Sequence, residues 1–479
     1  MLTRREFAAS AAAAGALLPG KIFAQAPANP IANGRPPPSA RAFTSPAVEQ
    51  AIANLRRQLG SRGIGAKLGQ MVAQCLPNTL DTTVELGTRD GHPDTFVITG
   101  DIQAMWLRDS TAQVWPYLRF AREDSRLRLL LRGVVQRQTD CILIDPYANA
   151  FNRDLVPSPE HAGDETEMRP GVFERKWELD SLCSAIRLAD GYWRATGDKA
   201  PFDARWRDAS RLMLQTMRAQ QRKHGLGPYR FFRNTDWPPD QVPRNGLGNP
   251  LKPVGLIAAM FRPSDDAALY PFLVPANMYA VVMLKRFARL HSTLGSSDIA
   301  AESARLASEV EAAIRANATV FSPRHGRVWA YEVDGLGKKL LMDDANVPSL
   351  LSLPYLGWCK TSDATYRRTR ALVLSEDNPW FHRGPAAEGV GSPHTPGKRV
   401  WPISIAMRAL TSDNDREIAA CLRTLATTDA GTGFMHEAFD VGDPTQFSRP
   451  WFAWANSLFG ELMLTVAAQR PGVFRLLDG

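Results

Sequence analysis

Two acidic residues stand out for the company they keep. Asp180 lies in Trp177-Glu178-Leu179-Asp180-Ser181 and Glu437 in Phe434-Met435-His436-Glu437-Ala438-Phe439. Hydrolysis of a glycosidic bond needs such a pair, one carboxyl protonated to serve the leaving oxygen and one ionised to activate water or attack the anomeric carbon. Other readings remain open for each. Asp180 opens the apolar stripe Leu179, Leu182, Cys183 and Ile186, where a first-turn Asp also complements a helix dipole. Glu437 is equally placed to be a salt-bridge partner of Arg449.

Around this pair, carboxylates, Arg and Trp recur together. The segment Thr99-Gly100-Asp101-Ile102-Gln103-Ala104-Met105-Trp106-Leu107-Arg108-Asp109-Ser110 is the densest, joined by Met342-Asp343-Asp344-Ala345-Asn346, Arg383-Gly384-Pro385 and Arg449-Pro450-Trp451-Phe452-Ala453-Trp454. Carboxylates and Arg can bracket sugar hydroxyls by hydrogen bonds, and an indole face packs on the C–H face of a pyranose. Arg108 and Asp109 could instead pair only with one another, and Trp side chains often simply fill a core. A zinc reading of His436-Glu437 fails, because the HExxH pattern needs His where Asp440 stands. Asp343, Asp344 and Asn346 lack the alternating oxygens and central Gly of a calcium loop.

The elements that position these residues are mainly helices. Stripes at i, i+3/i+4, i+7 recur at Leu127-Leu130-Leu131-Val134, Leu179-Leu182-Cys183-Ile186, Leu306-Val310-Ile314 and Leu458-Leu462-Met463-Val466. Gly197 and Pro471-Gly472 supply stop signals. Alternation suggests one β-hairpin, with arms Val328–Val333 and Lys338–Met342 about Asp334-Gly335-Leu336-Gly337. No Gly-rich phosphate loop follows a strand and no fixed-period repeat appears, so dinucleotide, P-loop and solenoid readings fall.

The chain has 479 residues, of which 44% are hydrophobic and 22% charged, a globular balance that excludes a disordered or collagen-like chain. Its net charge of +8 is scattered, as in Arg119 to Arg132, and makes no nucleic-acid footprint. Cys75, Cys141, Cys183, Cys359 and Cys421 form no CxxC or zinc-spaced set and read as mostly buried thiols. Thr3-Arg4-Arg5-Glu6-Phe7, the weakly apolar Ala8 to Leu18 and Ala24-Gln25-Ala26 resemble a twin-arginine export signal cut after Ala26. Residues 27–46 then read as a Pro-rich, poorly ordered linker and 47–479 as one catalytic domain, periplasmic or secreted, without stable membrane insertion.

Together, TGDIQAMWLRDSTAQVWPY, WELDSLC, WPISIAMRALTS and FMHEAFD…FSRPWFAWANSLFGEL resemble glycoside hydrolase family 125, exo-acting α-1,6-mannosidases that work without a metal. The resemblance runs in colinear order from about residue 45 to the end. It implies an all-α (α/α)6 barrel with long loops at the active-site end, an inverting mechanism, α-mannoside glycans as partners and no cofactor or metal. Asp180 would be the general acid and Glu437 the general base, with Asp101, Trp106, Arg108 and Asp109 as sugar contacts and Asp343, Arg383 and His436 as further ones. The competing readings are another (α/α)6 carbohydrate enzyme, such as an α-glucosidase-like hydrolase or a uronide lyase, a metal-dependent mannosidase, and a non-catalytic glycan-binding protein.

Overall fold

The computed structural model describes residues 34–478. The leader expected over 1–26 and the first residues of the linker lie outside them. The rest of the expected linker is seated on the body rather than loose. Arg35 pairs with Asp81 (Nε to Oδ2, 2.6 Å) and with Glu49, and the Phe43 ring is buried. The N–H groups of Ala42 and Phe43 donate to the carbonyls of Asp81 and Leu80, both at 2.9 Å. Its composition is that of a tether, but one apolar anchor and one bridging guanidinium turn it into a strap.

Helices α1 (Pro46–Leu59) and α2 (Gly63–Cys75) open the fold. They are followed by α3 (Leu107–Val114), α4 (Ser125–Ile144), α5 (Leu179–Thr196), α6 (Ala204–Gln220), α7 (Val274–Thr293), α8 (Ser297–Asn317), α9 (Leu353–Leu356), α10 (Ala364–Val373), α11 (Pro402–Leu410), α12 (Asp415–Thr427) and α13 (Ala453–Gln469). From α3 onward the chain alternates between two rings. In the inner ring α3 packs on α5, α5 on α7, α7 on α9, α11 on α13, and α13 back on α3. Helices α4, α6, α8, α10 and α12 return outside, and α2, packed on α12 and α13, takes the sixth outer place. Among the described residues this is an (α/α)6 barrel whose fourth inner helix is a single turn, opened by Pro354 and closed by Gly357 at φ 88°.

Burial separates the rings. Helix α13 is buried on all sides from Ala453 to Leu464, and α5 from Leu179 to Ile186. Outer helices carry a single stripe, such as Ile418, Cys421, Leu422 and Leu425 of α12. The helix starts differ too. Ser45, Asp124, Asp203, Asp363 and Asn414 cap α1, α4, α6, α10 and α12 through their side chains. The inner helices α3, α5, α7, α11 and α13 follow Trp106, Glu178, Leu273, Trp401 and Phe452, with no side-chain cap bond. Their N-termini, the positive ends of their dipoles, therefore gather at one mouth of the barrel.

Short strands tie the loops at that mouth. Met105–Trp106 pairs with Ala150–Phe151, which pairs with Val172–Glu174. Arg399–Val400 pairs with Phe439–Asp440. The expected hairpin over 328–342 is present but shorter, because its first arm changes partner at Ala330-Tyr331. Gly326–Trp329 pairs back with Thr319–Ser322, while Glu332–Val333 pairs with Lys339–Leu340 and with Phe272–Leu273. Asp334 Oδ1 closes the turn by accepting from the N–H groups of Leu336 and Lys338. All five cysteines are free thiols, four of them buried. No described helix is long and apolar enough to cross a membrane.

Candidate active site

The first half of the site is built on the entries to α3 and α5. The small three-stranded sheet sets Trp106 at the start of α3, its ring edge-on to Phe173 with centroids 5.5 Å apart. One turn of helix then carries Arg108 and Asp109 inward. Gly100 in the preceding loop has φ 126°, and a Cβ there would meet the Trp451 ring at 3.1 Å. Glycine alone lets the backbone before Asp101 pass so close to Trp451.

Arg108 is the hub. Its Nη1 donates to Glu178 Oε2 at 2.6 Å and to Asp180 Oδ2 at 3.1 Å, and its Nη2 to Asp265 Oδ1 at 3.4 Å. Its Nε stands 3.5 Å from Asp109 Oδ2, and its guanidinium lies 5.7 Å from the centre of the Trp454 ring. One cation thus faces four carboxyl groups, with the side chains of Glu178 and Asp180 both 0% exposed. So little positive charge cannot hold all four ionised in a buried space. Burial raises the pKa of Asp180 against the attraction of Arg108, and pushes Asp109 up to about 6. Burial also raises Glu178 well above the carboxylate range, and its hydrogen bond to Asp265 lets the two share one proton. This half of the site therefore favours a proton on Glu178 and Asp180 over full ionisation of the cluster.

The second half is carried by a loop, the segment from His436 to Arg449. The Ser448 N–H donates to the Ala438 carbonyl at 3.0 Å, and the Ala438 N–H to Ser448 Oγ at 3.2 Å. That pairing sets Glu437 beside Ser448 and Arg449. Ser448 Oγ donates to Glu437 Oε2 at 2.6 Å, and Arg449 Nε lies 3.3 Å from Oε1. Arg449 Nη1 also donates to Asp101 Oδ1 at 2.8 Å. A hydroxyl donor and a guanidinium are the partners of a carboxylate. The two halves meet through Arg449, which feels the charges of Asp109 and Asp265 as well as those of Glu437 and Asp101.

Of the residues read from sequence, Asp101, Trp106, Arg108, Asp109, Asp180 and Glu437 converge here. Trp106 Nε1, Asp109 Oδ2 and Asp180 Oδ1 are buried without a hydrogen-bond partner, so the cluster keeps unspent polar atoms for a polyhydroxylated ligand. His436 is turned inward instead. Its ring stacks on Phe447 at 4.1 Å and its Nδ1 lies 3.0 Å from the Arg449 carbonyl, so it steadies the loop that carries Glu437. Two expected contacts stand outside the cluster. Asp343 is fully buried, accepts from the N–H groups of Leu350 and Leu351, and is pushed up to about 8 by burial, a fastening for the loop into α9. Arg383 is exposed and pairs with Glu388 at 2.7 Å.

Glu178, Asp265 and His394 were not singled out by their sequence setting. Glu178 lies two residues from Asp180, on the same approach to α5, which is the one signal that pointed to it. Asp265 and His394 lie in Pro263-Ser264-Asp265-Asp266 and Ser392-Pro393-His394-Thr395, compositions that fit any turn. Asp265 takes φ 64°, a left-handed conformation that a short polar side chain tolerates.

Comparison with known proteins identifies the family and the fold. The family profile described as metal-independent α-mannosidase, glycoside hydrolase family 125, matches residues 65–464. The Meiotically up-regulated gene 157 protein of Schizosaccharomyces pombe is 41% identical over 459 residues, covering 92% of this chain and 89% of that protein. A Streptococcus pneumoniae metal-independent α-mannosidase, solved in a non-productive complex with α-1,6-mannobiose, superposes with a TM-score of 0.86 at 40% identity, covering 90% of this chain and 100% of that one. A bacterial glucoamylase solved with acarbose shares the fold alone, at a TM-score of 0.51 and 13% identity, over 90% of this chain and 59% of that one. With the profile spanning most of its length and the streptococcal structure superposing across its barrel, this chain belongs to glycoside hydrolase family 125, the metal-independent α-mannosidases.

Proposed function

We propose that this chain removes terminal mannose from α-1,6-linked mannosides by a single inverting displacement. Asp180 gives its proton to the glycosidic oxygen as the bond from that oxygen to the anomeric carbon breaks. Glu437 takes a proton from the water whose oxygen attacks the same carbon from the opposite face, and the released sugar is β-mannose. One observation carries the assignment: a fully buried Asp180 with a raised pKa shares a charged cluster with a Glu437 that faces Ser448 and Arg449. Environment, not residue type, separates acid from base. Arg108 holds Asp180 in place, and Trp106 and Trp454 supply apolar faces at the cluster for a sugar ring.

The α-1,6 preference rests on likeness to the streptococcal enzyme, whose structure contains α-1,6-mannobiose. The test is a proton NMR time course with α-1,6-mannobiose in the presence of a chelator, following which anomer appears before mutarotation. β-Mannose first supports the proposal, α-mannose first overturns the inverting step, and no mannose sends the search to another sugar. We further propose export by the twin-arginine route, read from Arg4-Arg5 and Ala24-Gln25-Ala26. Replacing both arginines with lysine should leave the protein uncleaved in the cytoplasm, as judged by fractionation.

A further inference from the structure

His394 stands in the loop before α11 and bonds the residue next to Asp265, which itself reaches Arg108. Its Nδ1 lies 3.0 Å from Asp266 Oδ1, and the Asp266 side chain is only 3% exposed. A carboxylate can only accept, so Nδ1 is the donor of that bond. The ring leans edge-on against Trp401, centroids 6.3 Å apart. The His394 backbone N–H donates to Ser392 Oγ at 3.2 Å, and that hydroxyl donates to Asp344 Oδ2 at 3.1 Å. The imidazole is thus held by a carboxylate, an indole and an anchored loop.

Its other nitrogen is free. The side chain is 32% exposed, and Nε2 is neither bonded nor among the buried polar atoms of the described residues. The groups whose charge reaches the ring are acidic: Asp266, Glu437 and Asp265. Arg262, the cation nearest Asp266, is taken by Glu332 at 2.7 Å. Burial alone would lower the pKa of this histidine, but the bond and charge of Asp266, with Glu437 and Asp265, carry it up to about 9. A protonated imidazole carries N–H on both nitrogens, so the open Nε2 is a charged donor within the field of Asp265 and Glu437.

We propose that His394, locked by Asp266, donates its Nε2–H to one ring hydroxyl of the mannose bound between Asp265 and Glu437, and thereby helps to select that sugar. The proposal rests on the reading of the site as a mannosidase. A ring hydroxyl is the fitting acceptor, because a cationic donor on the attacking water would draw off the lone pair needed at the anomeric carbon. Asp266 is the positioning residue, acting through His394.

The experiment compares kcat/KM of wild type, His394→Asn and His394→Gln on an α-mannoside and on analogues each lacking one ring hydroxyl. Asn keeps the donor toward Asp266 and leaves nothing at the Nε2 place, so it should lose about 10–100-fold on the full substrate, the scale of one hydrogen bond to a charged group. On one deoxy analogue it should lose nothing further relative to wild type, the mark of a removed pairwise contact. Gln, with an amide nitrogen near the Nε2 place, should recover part of the loss. Equal penalties for every deoxygenation in variant and wild type overturn the role of His394 alone. No turnover of any mannoside by wild type overturns the reading of the site and the sugar together. Nitrogen-15 NMR of the wild-type ring gives a check independent of folding of the variants: a cation at pH 7 supports the proposal, and a neutral ring overturns it. Asp266→Asn should move that titration to lower pH.

Discussion

Asp180 and Glu437 are both carboxyl groups, yet the chain treats them in opposite ways. Asp180 is in the first turn of an inner helix, fully buried, and shares one guanidinium with Glu178, Asp109 and Asp265. Glu437 is on a loop joined to itself by short pairings, with Ser448 and Arg449 turned toward its two oxygens. Burial and crowding by other acids raise the proton affinity of Asp180. The helix-borne half is therefore suited to hold a proton.

Removing either member breaks that division outright. Asp180→Asn and Glu437→Gln should each lower kcat by about 10²–10⁴-fold, the usual worth of general acid–base assistance. The two losses differ in kind. A mannoside with a good leaving group, such as a nitrophenol, needs little protonation, so it should restore much of the activity of Asp180→Asn and none of that of Glu437→Gln. Equal behaviour of the two variants on both substrates would undo the assignment of acid and base.

Smaller changes sharpen the contrast. Ser448→Ala deletes one donor to Glu437 and should cost about 10-fold in kcat/KM, the lower end for a hydrogen bond to a charged group. Asp265→Asn acts on the other half. Asp265 is a negative charge that raises the pKa of both Asp180 and Asp109, so removing it lowers both. A general acid with a lower pKa loses its proton at lower pH, so the alkaline limb of the kcat/KM profile should move toward acid. An unmoved limb would show that a group other than Asp180 titrates there.

Much of this was legible in sequence for a physical reason. Helical stripes such as Leu458-Leu462-Met463-Val466 mark buried helices, while the barrel and the roles of Asp180 and Glu437 were legible only through the family resemblance of their motifs. What periodicity cannot carry is direction across space. Asp343 and Arg383 lie in segments as polar as those of the candidate site, but one accepts backbone N–H groups in the interior and the other pairs with Glu388 at the surface. Asp265 and His394 reach the cleft from loops whose residues are ordinary turn formers. Only tertiary pairing shows that they meet Arg108 and Asp266. Phe43 gave the same lesson in reverse, as one buried ring fastens a segment whose prolines read as a tether.

The smallest expected effect separates the two jobs an acidic residue does at a helix start. Asp124 precedes α4 and accepts from the Leu127 N–H at 3.0 Å and from Ser45 Oγ at 2.5 Å, while Ser45 itself caps α1. Its carboxylate serves the starts of α1 and α4 at once. Asp180, in the first turn of an inner helix, makes its side-chain bond to Arg108 instead. Asp124→Ala should thus cost about 1–2 kcal/mol of stability, lowering Tm by a few degrees, with kcat unchanged. Asp180→Asn should do the reverse, abolishing most turnover while Tm holds or rises, because a buried group kept ready to ionise is a liability to the fold and Asn removes it. If Asp180→Asn instead lowered Tm as Asp124→Ala does, Asp180 would be a structural residue of the helix start, and the proton donor would have to be sought among the other carboxyl groups on Arg108.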